Sequence, residues 1–326
     1  MTACLLVVAS LVAGCGNDPG ESTDGHGGRE FSLALDFFVN ADHAGIYEGI
    51  ERGDFAAAGL EVEPRVPTDV SAPIKQVAAG RADLAISYEP ELMLARDSGL
   101  DVVAVAALVH DPLTSLISLP EAGIEDPADL AGKRVVTAGI PYQTAFLETI
   151  LRDAGVDPGL VEQTDVGLDL LRPVLSGSAD AMLGGFSNVE GVELAERGAD
   201  PRVVPVDELG IPPYDELVLV ASADSVREDP EPIRSFLAAL ERGTLAARDD
   251  PQEATDAIIA ASQGLDPDLT RAEVDATIPA LLAPRGEPFG HMDPRAWESF
   301  ARFLADQDQI DGAEPAGRML TNDLLP

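Results

Sequence analysis

The chain has 326 residues, and 45% of them are apolar, which is enough for folded cores and about two domains. Its formal net charge is −37, because 58 acidic residues outnumber 21 basic ones. Such a surface repels nucleic acid, whose binding depends on basic groups that release counterions, and it offers no polybasic patch to a membrane. We interpret the excess of acid as a solubility device for a salty exterior and expect no nucleic-acid partner.

The start of the chain is a predicted targeting segment. The apolar run from Ala3 to Ala13 is shorter than the ~20 residues that a membrane span needs. It ends in Leu-Val-Ala-Gly before Cys15, which resembles the bacterial lipoprotein signal, although no Lys or Arg precedes the run. The resemblance implies a signal peptide at 1–14, lipidation of Cys15 and anchoring to the bacterial cell membrane by several acyl chains. A disulfide between Cys4 and Cys15 is disfavoured, because Cys4 lies in the removed peptide.

A predicted strand at 31–35 follows a flexible, Gly- and acid-rich tether at 15–30. The strand runs into a turn and then a helix that begins near Asp42, which we predict as the N-cap. Ligands of open α/β sheets bind outside the carboxyl ends of the strands. The side chains that arrive there are Asp36, Phe37, Phe38, Asn40 and His43. Together they suit a flat molecule that donates hydrogen bonds, although each also fits core packing or turn capping.

Strands and helices then alternate, which predicts parallel sheets covered by helices on both faces. The apolar run at 101–109 indicates a buried parallel strand, and Pro141 opens an amphipathic helix that ends near Ala154. From residue 232 onward the pattern is almost entirely helical. The other predicted strands lie at 60–66, 84–86, 113–119, 203–206 and 217–222.

A short motif occurs twice, as Gly80-Arg-Ala-Asp-Leu84 and as Gly177-Ser-Ala-Asp-Ala181. Each copy is typical of a helix, a glycine turn, a short strand and a polar, aromatic loop that opens another helix. The repeat predicts two similar lobes, each of which directs one loop at a shared cleft. We place lobe 1 at 31–117 and 222–326, and lobe 2 at 118–221.

The stretch Leu35-Asp-Phe-Phe-Val-Asn-Ala-Asp-His-Ala-Gly-Ile-Tyr47 resembles a signature of thiamine-pyrimidine-precursor-binding proteins, Leu-Asp-Trp-x-Pro-Asn-x-x-His-x-Gly-(Ile/Leu/Phe)-Tyr. The chain departs from it with Phe in place of Trp and Val39 in place of Pro. The similarity continues at 80–83, 132–133, 184–190 and 214–218 and covers about 31–260. It implies an α/β, two-lobe type II periplasmic-binding-protein fold, with parallel-type sheets flanked by helices and a ligand cleft between the lobes.

The resemblance also implies a site for an aminopyrimidine. Asp36 and Glu190, one from each lobe, match acidic positions of the family and suit the amidine-like edge of such a ring. Phe37 or Phe38 would stack in place of the family's Trp, and a tyrosine would cover the other face or pack at the rim. Glu190 also fits a first-turn helix acid. The predicted ligand-binding residues are Asp36, Phe37, Phe38, Asn40, His43, Tyr88, Glu89, Tyr142, Asn188, Glu190, Tyr214 and Glu216.

The function implied is that of solute-binding subunits of bacterial ABC importers. We expect an extracytoplasmic, lipid-anchored monomer that captures a pyrimidine thiamine precursor, closes like a clamp and docks on an ABC permease. We expect no cofactor and no metal site, because the four histidines, at 26, 43, 110 and 291, are widely spaced.

Three alternatives remain open to test. The ligand of such a binding protein could be riboflavin or another heterocycle. An alkanesulfonate or taurine is disfavoured, because an anion site needs basic groups or bare helix amides, whereas the first loop offers Asp36 and His43 with no basic residue nearby. The pyrimidine synthases that share the family fold sacrifice a histidine and need a cysteine-rich loop. Beyond the predicted signal peptide this chain has only Cys15, so we do not expect an enzyme.

Overall fold

The computed structural model describes residues 28–326, which form ten β-strands and thirteen α-helices. The strands are β1 (Arg29–Ala34), β2 (Leu60–Arg65), β3 (Leu84–Ser87), β4 (Val102–Val109), β5 (Thr114–Ser118), β6 (Arg134–Thr137), β7 (Glu162–Asp165), β8 (Ala181–Phe186), β9 (Arg202–Pro205) and β10 (Leu217–Ser222). The helices are α1 (Ala44–Glu51), α2 (Asp54–Ala57), α3 (Ala72–Ala78), α4 (Glu89–Asp97), α5 (Pro141–Asp153), α6 (Leu171–Leu175), α7 (Glu190–Glu196), α8 (Ala223–Glu228), α9 (Glu231–Asp249), α10 (Pro251–Ala261), α11 (Pro267–Thr277), α12 (Pro294–Asp306) and α13 (Ala316–Met319).

The strands form two five-stranded sheets, in the orders β2-β1-β3-β10-β4 and β7-β6-β8-β5-β9. In the first sheet β1, β2 and β3 are parallel, whereas β10 runs antiparallel to β3 and β4. In the second sheet β6, β7 and β8 are parallel, whereas β5 runs antiparallel to β8 and β9. Helices flank both sheets, so the predicted two-lobe α/β fold is confirmed. The sheets are mixed rather than purely parallel, because the strand that enters from the other lobe arrives in the opposite direction.

The chain crosses between the sheets twice, at 110–113 after β4 and at 206–216 after β9. We call the unit built on the first sheet lobe 1 and the unit built on the second sheet lobe 2. The predicted boundaries are wrong for two strands, because β5 belongs to the second sheet and β10 to the first. Both strands are short apolar runs that fit either sheet, and the partners that decide between them are distant in sequence.

At its N-terminal end the described chain differs from the prediction. Strand β1 begins at Arg29, which pairs with Leu60, so the predicted tether overlaps the strand by two residues. Residues 1–27, with the predicted signal peptide and Cys15, lie outside the described residues.

Strand β4 is a sheet-edge strand rather than the interior parallel strand that was predicted. It is buried because the C-terminal segment covers it through a bridge between Ala104 and Leu320.

The C-terminal helices hold the first loop of lobe 1 in place. Phe236 of α9 packs against Phe31 of β1 and Phe55 of α2, with ring centroids 5.1 and 4.9 Å apart. Helix α9 crosses α1 so closely that a Cβ atom on Gly243 would lie 2.2 Å from the backbone oxygen of Gly45. Helix α1 is therefore fixed, and with it the loop that joins α1 to β1. None of the helices of residues 28–326 is long and apolar enough to cross a membrane.

Candidate functional site

The loop after β1 is organised by Asn40. Its Oδ1 accepts a hydrogen bond from the Asp42 amide at 2.8 Å, so Asn40, and not Asp42 as predicted, caps the short 3-10 helix Ala41–His43. The backbone N–H of Asn40 donates to Nδ1 of His43 at 3.3 Å. Because Nδ1 is an acceptor, the ring proton lies on Nε2, which donates to Oδ1 of Asp36 at 3.0 Å. The cap therefore fixes both the tautomer of His43 and the aim of the Asp36 carboxylate.

Asp36 receives a second hydrogen bond on its other oxygen. The Tyr88 hydroxyl, at the start of α4, donates to Oδ2 at 3.0 Å. Burial raises the pKa of Tyr88 well above its ordinary value, so the phenol keeps the proton that it donates. Each oxygen of the buried Asp36 carboxylate thus has one protein donor and retains a lone pair for another.

Asp36 opens onto a narrow slot between the lobes. The free space between its walls, including the mouth, is about 420 Å³, but only about 30 Å³ of it can hold the centre of a water molecule. Among the described residues that line the slot, none is a lysine or arginine. The lining residues of lobe 1 are Asp36, Phe37, Asn40 and Tyr88, and those of lobe 2 are Ala138, Ile140, Tyr142, Gln143, Leu170, Gly184, Phe186, Val189 and Glu190.

Glu190 brings a second carboxyl group to the slot from lobe 2. It is the first residue of α7, directly after the loop that follows β8, and its Oε2 accepts from the Phe186 amide at 2.7 Å. Burial raises the pKa of Glu190 to about 7, although the Phe186 hydrogen bond opposes the shift. Near neutral pH both the neutral and the ionised form of this carboxyl group are therefore accessible, so it can accept hydrogen bonds or donate one.

Aromatic side chains form the walls of the slot. The Tyr88 ring lies 5.7 Å from Tyr142 and 6.4 Å from Phe186, edge to face with the latter, so rings from the two lobes meet at the slot. Phe37 lines the slot and meets the Phe38 ring edge-on at 5.4 Å. Phe38 itself is 51% exposed and lies in the outer groove with Asp69 and Asp165. Of the two phenylalanines predicted to stack, Phe37 is therefore the one that faces the slot.

Three other predicted site residues, Glu216, Tyr214 and Glu89, lie in or against the crossovers rather than in the slot. Oε2 of Glu216 accepts from the Leu113 amide at 2.8 Å and from the Thr114 amide at 2.7 Å. It also accepts from the Tyr214 hydroxyl at 3.0 Å, while burial raises the pKa of Glu216 to about 7. Glu89, whose pKa is likewise raised by burial, accepts from the Asp215 amide at 2.7 Å. These groups join the two crossover segments to each other and to α4.

Asn188 lies beside the slot and joins the two lobes. Its Nδ2 donates to Oδ1 of Asp42 and to Oγ1 of Thr277, both at 2.7 Å. His43 likewise stands behind Asp36 and supports it without lining the slot. Within residues 28–326 there is no group of three or more His, Cys, Asp or Glu residues arranged to hold a metal ion.

Sequence reasoning overlooked Gln143 and Phe186. Gln143 lies in the first turn of α5, which opens after β6, so the rule that selected Asp36 at the end of β1 also applies to Gln143. Phe186 is the last residue of β8, inside the stretch that resembles the family, and the same rule selects it.

Known proteins resemble this chain both in sequence and in fold. The family model described as NMT1/THI5 like matches residues 40–254. A formylaminopyrimidine-binding protein of Halalkalibacterium halodurans is 33% identical over 311 residues, which is 94% of this chain and 93% of that protein. A 4-amino-5-hydroxymethyl-2-methylpyrimidine phosphate synthase of Legionella pneumophila is 23% identical over 298 residues, covering 90% of this chain and 92% of the synthase.

Among solved structures, the alkanesulfonate-binding protein SsuA of Xanthomonas axonopodis pv. citri, bound to MOPS, superposes with a TM-score of 0.72. The alignment covers 90% of this chain and 98% of that one at 13% sequence identity, so it bears on the fold alone. The fold is that of periplasmic binding proteins, as the sequence motifs predicted. The matched family model and the 33% identity over nearly the whole chain show that this protein belongs to the NMT1/THI5-like family.

Proposed function

We propose that this chain is the solute-binding protein of an ABC importer and captures an aminopyrimidine precursor of thiamine in the slot between its lobes. One observation carries the proposal: Asp36 of lobe 1 and Glu190 of lobe 2 line the same narrow, aromatic-walled slot. Carboxyl groups suit an aminopyrimidine because its exocyclic amine and adjacent ring nitrogen form an amidine-like edge. Rings on both sides of the slot suit a flat heterocycle.

The protonation behaviour of Glu190 fits such an edge. As a carboxylate, Glu190 accepts from the amine and from a protonated ring nitrogen. As a neutral acid, it accepts from the amine and donates to an unprotonated ring nitrogen. Because its pKa is about 7, both forms are accessible near neutral pH, and each makes two hydrogen bonds with the ligand.

The family relatives support the ligand class. A formylaminopyrimidine-binding protein is 33% identical to this chain over nearly the whole length of both. A sulfonate ligand, as in the solved structural neighbour, fits poorly, because no basic side chain among the described residues lines the slot. The synthase activity of the Legionella relative fits this chain poorly, because the chain has only two cysteines, Cys4 and Cys15, and neither belongs to an internal cysteine-rich loop.

Ligand capture in this proposal is a clamp motion. The walls of the slot lie too close together for an aromatic ring to enter. The lobes therefore separate to admit the ligand and then close on it. The two crossover segments, 110–113 and 206–216, are the hinge. A ligand that contacts carboxyl groups of both lobes favours the closed state, which a permease would recognise. Acylation of Cys15 would keep the protein at the outer face of the membrane.

A thermal-shift panel tests the proposal. The ligands are formylated and free aminomethylpyrimidine, thiamine, riboflavin and taurine. A ligand present at about 1,000 times its dissociation constant adds about 4 kcal/mol of stability, which raises the melting temperature by several degrees. We expect a selective shift with the aminopyrimidines. A shift with riboflavin or taurine alone would refute the ligand assignment and leave the fold intact.

A further inference from the structure

Two helices from different lobes meet beside the slot. Helix α11 of lobe 1 packs against α7 of lobe 2, and Asn188 donates to Oγ1 of Thr277, the last residue of α11. Glu273 lies one turn before Thr277, so both side chains are on the same face of α11. Glu190 and Glu193 likewise share one face of α7, because they are three residues apart. Helix faces that carry carboxyl groups therefore oppose each other across the interface between the lobes.

The charged groups that face Glu273 are all acidic. Burial raises the pKa of this residue to about 8, and repulsion from the carboxyl groups that face it adds to the rise. These groups are Glu193 and Glu190 of α7 and Asp42 of the first loop. Arg197 forms an ion pair with Glu193 within α7, so this cation serves Glu193 and not Glu273. With the lobes in contact, Glu273 therefore favours its neutral form near neutral pH.

Asp42 is a second carboxyl group of this kind. It is 3% exposed, and its Oδ2 has no partner among residues 28–326, nor has Oδ1 of Asn188, whose Nδ2 donates to Asp42. Burial raises the pKa of Asp42 to about 7, against the opposing effects of His43 and of the Asn188 hydrogen bond. Asp36 and Glu190, the other charged groups that face Asp42, add to the rise. An ionised Asp42 thus brings a buried charge with an unpaired oxygen to the contact between the lobes.

Separation of the lobes changes the surroundings of both groups. When α7 moves away from α11, water reaches Glu273 and Asp42, and the carboxyl groups of lobe 2 no longer repel them. The two pKa values then fall toward their ordinary values, 4.5 for Glu273 and 3.8 for Asp42. The closed form therefore binds more protons than the open form. Protons favour closure fully at acidic pH, and this preference is lost as the pH rises through about 7 and 8.

We propose that Asp42 and Glu273 form a proton-dependent latch between the lobes, which closes as the two carboxyl groups take up protons and opens as they ionise. Ligand capture near neutral pH is then accompanied by proton uptake. This inference rests on the proposed function, because it assumes a clamp that closes on a ligand. It concerns residues that the ligand does not contact, since neither Asp42 nor Glu273 lines the slot.

The first test is a calorimetric titration of N-formylaminomethyl pyrimidine near pH 7.5 in two buffers of different ionisation enthalpy, which counts the protons taken up with the ligand. We expect the wild-type protein to take up roughly one proton. Glu273→Gln, which keeps the shape of the side chain and stays neutral, should take up less than half of this. Near pH 8.5 it should bind the ligand roughly tenfold or more tightly than the wild-type protein, because closure no longer buries this charge.

A gain of affinity separates the latch from a merely structural role of Glu273, whose substitution would weaken binding or leave it unchanged. Asp42→Asn should lower the proton uptake in the same direction, most clearly near pH 6.5. The control is Glu196→Gln on the exposed side of α7, which should keep the wild-type uptake. No proton uptake by the wild-type protein, or a wild-type uptake in Glu273→Gln with a cooperative melting transition, would overturn the inference and leave the proposed function in place.

Small-angle scattering tests the latch without any ligand. We expect the radius of gyration of the ligand-free wild-type protein to be larger at pH 9 than at pH 6, and the double variant Asp42→Asn, Glu273→Gln to lose most of this difference. Equal radii at the two pH values in the wild-type protein would overturn the latch. If the wild-type protein bound no pyrimidine but opened with rising pH, the proposed ligand would fail and the latch would stand.

Discussion

Asn188 of lobe 2 donates a hydrogen bond from Nδ2 to Oδ1 of Asp42 in lobe 1, at 2.7 Å. Both side chains are buried, and neither the second carboxyl oxygen of Asp42 nor the amide oxygen of Asn188 has a partner among residues 28–326. Burial raises the pKa of Asp42 to about 7. A proton on Asp42 turns one of these two unpaired acceptors into a donor, so the contact between the lobes is more favourable when Asp42 is neutral.

This relationship predicts a pH-dependent stability. The pKa of Asp42 is raised from 3.8 to about 7 in the folded protein, so the folded state holds a proton that the unfolded state releases. The stability that the protonated Asp42 gives the folded state is complete below about pH 4 and is lost as the pH rises to about 7. Asp42→Asn, which stays neutral, should reduce the loss of stability between pH 5 and pH 8, by up to about 1.4 kcal/mol for each pH unit.

The free energy of unfolding, measured with urea at several pH values, checks this prediction. Other carboxyl groups near the same interface, among them Glu190 and Glu273, have pKa values that desolvation raises in the same direction. The variant should therefore keep part of the wild-type dependence of the free energy of unfolding on pH. An identical slope in the wild-type protein and in Asp42→Asn would show that Asp42 does not carry the effect.

Removing Asn188 should loosen the contact between the lobes. Asn188→Ala deletes the bonds to Asp42 and to Thr277 and leaves a buried carboxyl group unpaired. The closed state loses stability relative to the open one, so we expect a larger radius of gyration of the ligand-free protein and a several-fold weaker ligand affinity. Small-angle scattering and titration measure the two effects. Thr277→Val, which removes one bond of the two, should act in the same direction but less; an unchanged radius of gyration in Asn188→Ala would contradict the role of the contact.

The two phenylalanines of the first loop form a matched pair. Phe37 lines the slot, whereas its neighbour Phe38 is 51% exposed in the outer groove. We expect Phe37→Ala to weaken aminopyrimidine binding by roughly threefold to tenfold, because a stacked ring loses its partner. Phe38→Ala should leave the dissociation constant within about twofold. Equal losses in both variants would contradict the assignment of Phe37 as the stacking residue.

Glu216 should stabilise the hinge. In Glu216→Ala the buried amides of Leu113 and Thr114 lose their common acceptor. We expect the free energy of unfolding to fall by roughly 3 kcal/mol or more, because each buried donor without a partner costs about 1–3 kcal/mol. The exposed Glu196 on α7 offers a control, since Glu196→Ala should change the stability by less than about 0.5 kcal/mol. A loss in Glu216→Ala no larger than in the control would remove Glu216 from the hinge.

Local patterns in the sequence predicted the first loop well. Strand β1, the turn with Asp36 and Phe37, and a helix close behind that turn follow from apolar periodicity and capping chemistry, both of which act over a few residues; only the cap was misplaced, at Asp42 instead of Asn40. The position of Glu190 after β8 follows from the rule that ligands meet the carboxyl ends of strands. These are the residues that line the slot from each lobe.

Long-range partners explain what the sequence did not predict. Nothing local in the sequence distinguishes Glu216 from Glu190, and nothing local shows that Glu216 bonds to the Leu113 and Thr114 amides at the crossover. Asn188 was predicted to contact ligand from the family resemblance, and its bond to Asp42, 146 residues away, is not visible in the local sequence. The exchange of β5 and β10 between the lobes has the same cause, because strand pairing is not visible in a single apolar run.

The central claim is that carboxyl groups from both lobes hold one aminopyrimidine. Its most direct test is a calorimetric titration of N-formylaminomethyl pyrimidine into the wild-type protein, Asp36→Asn and Glu190→Gln. Both substitutions keep the shape of the side chain and remove its charge. The account predicts binding by the wild-type protein and a loss of affinity of about tenfold to a hundredfold in each variant. Wild-type affinity in both variants would contradict it.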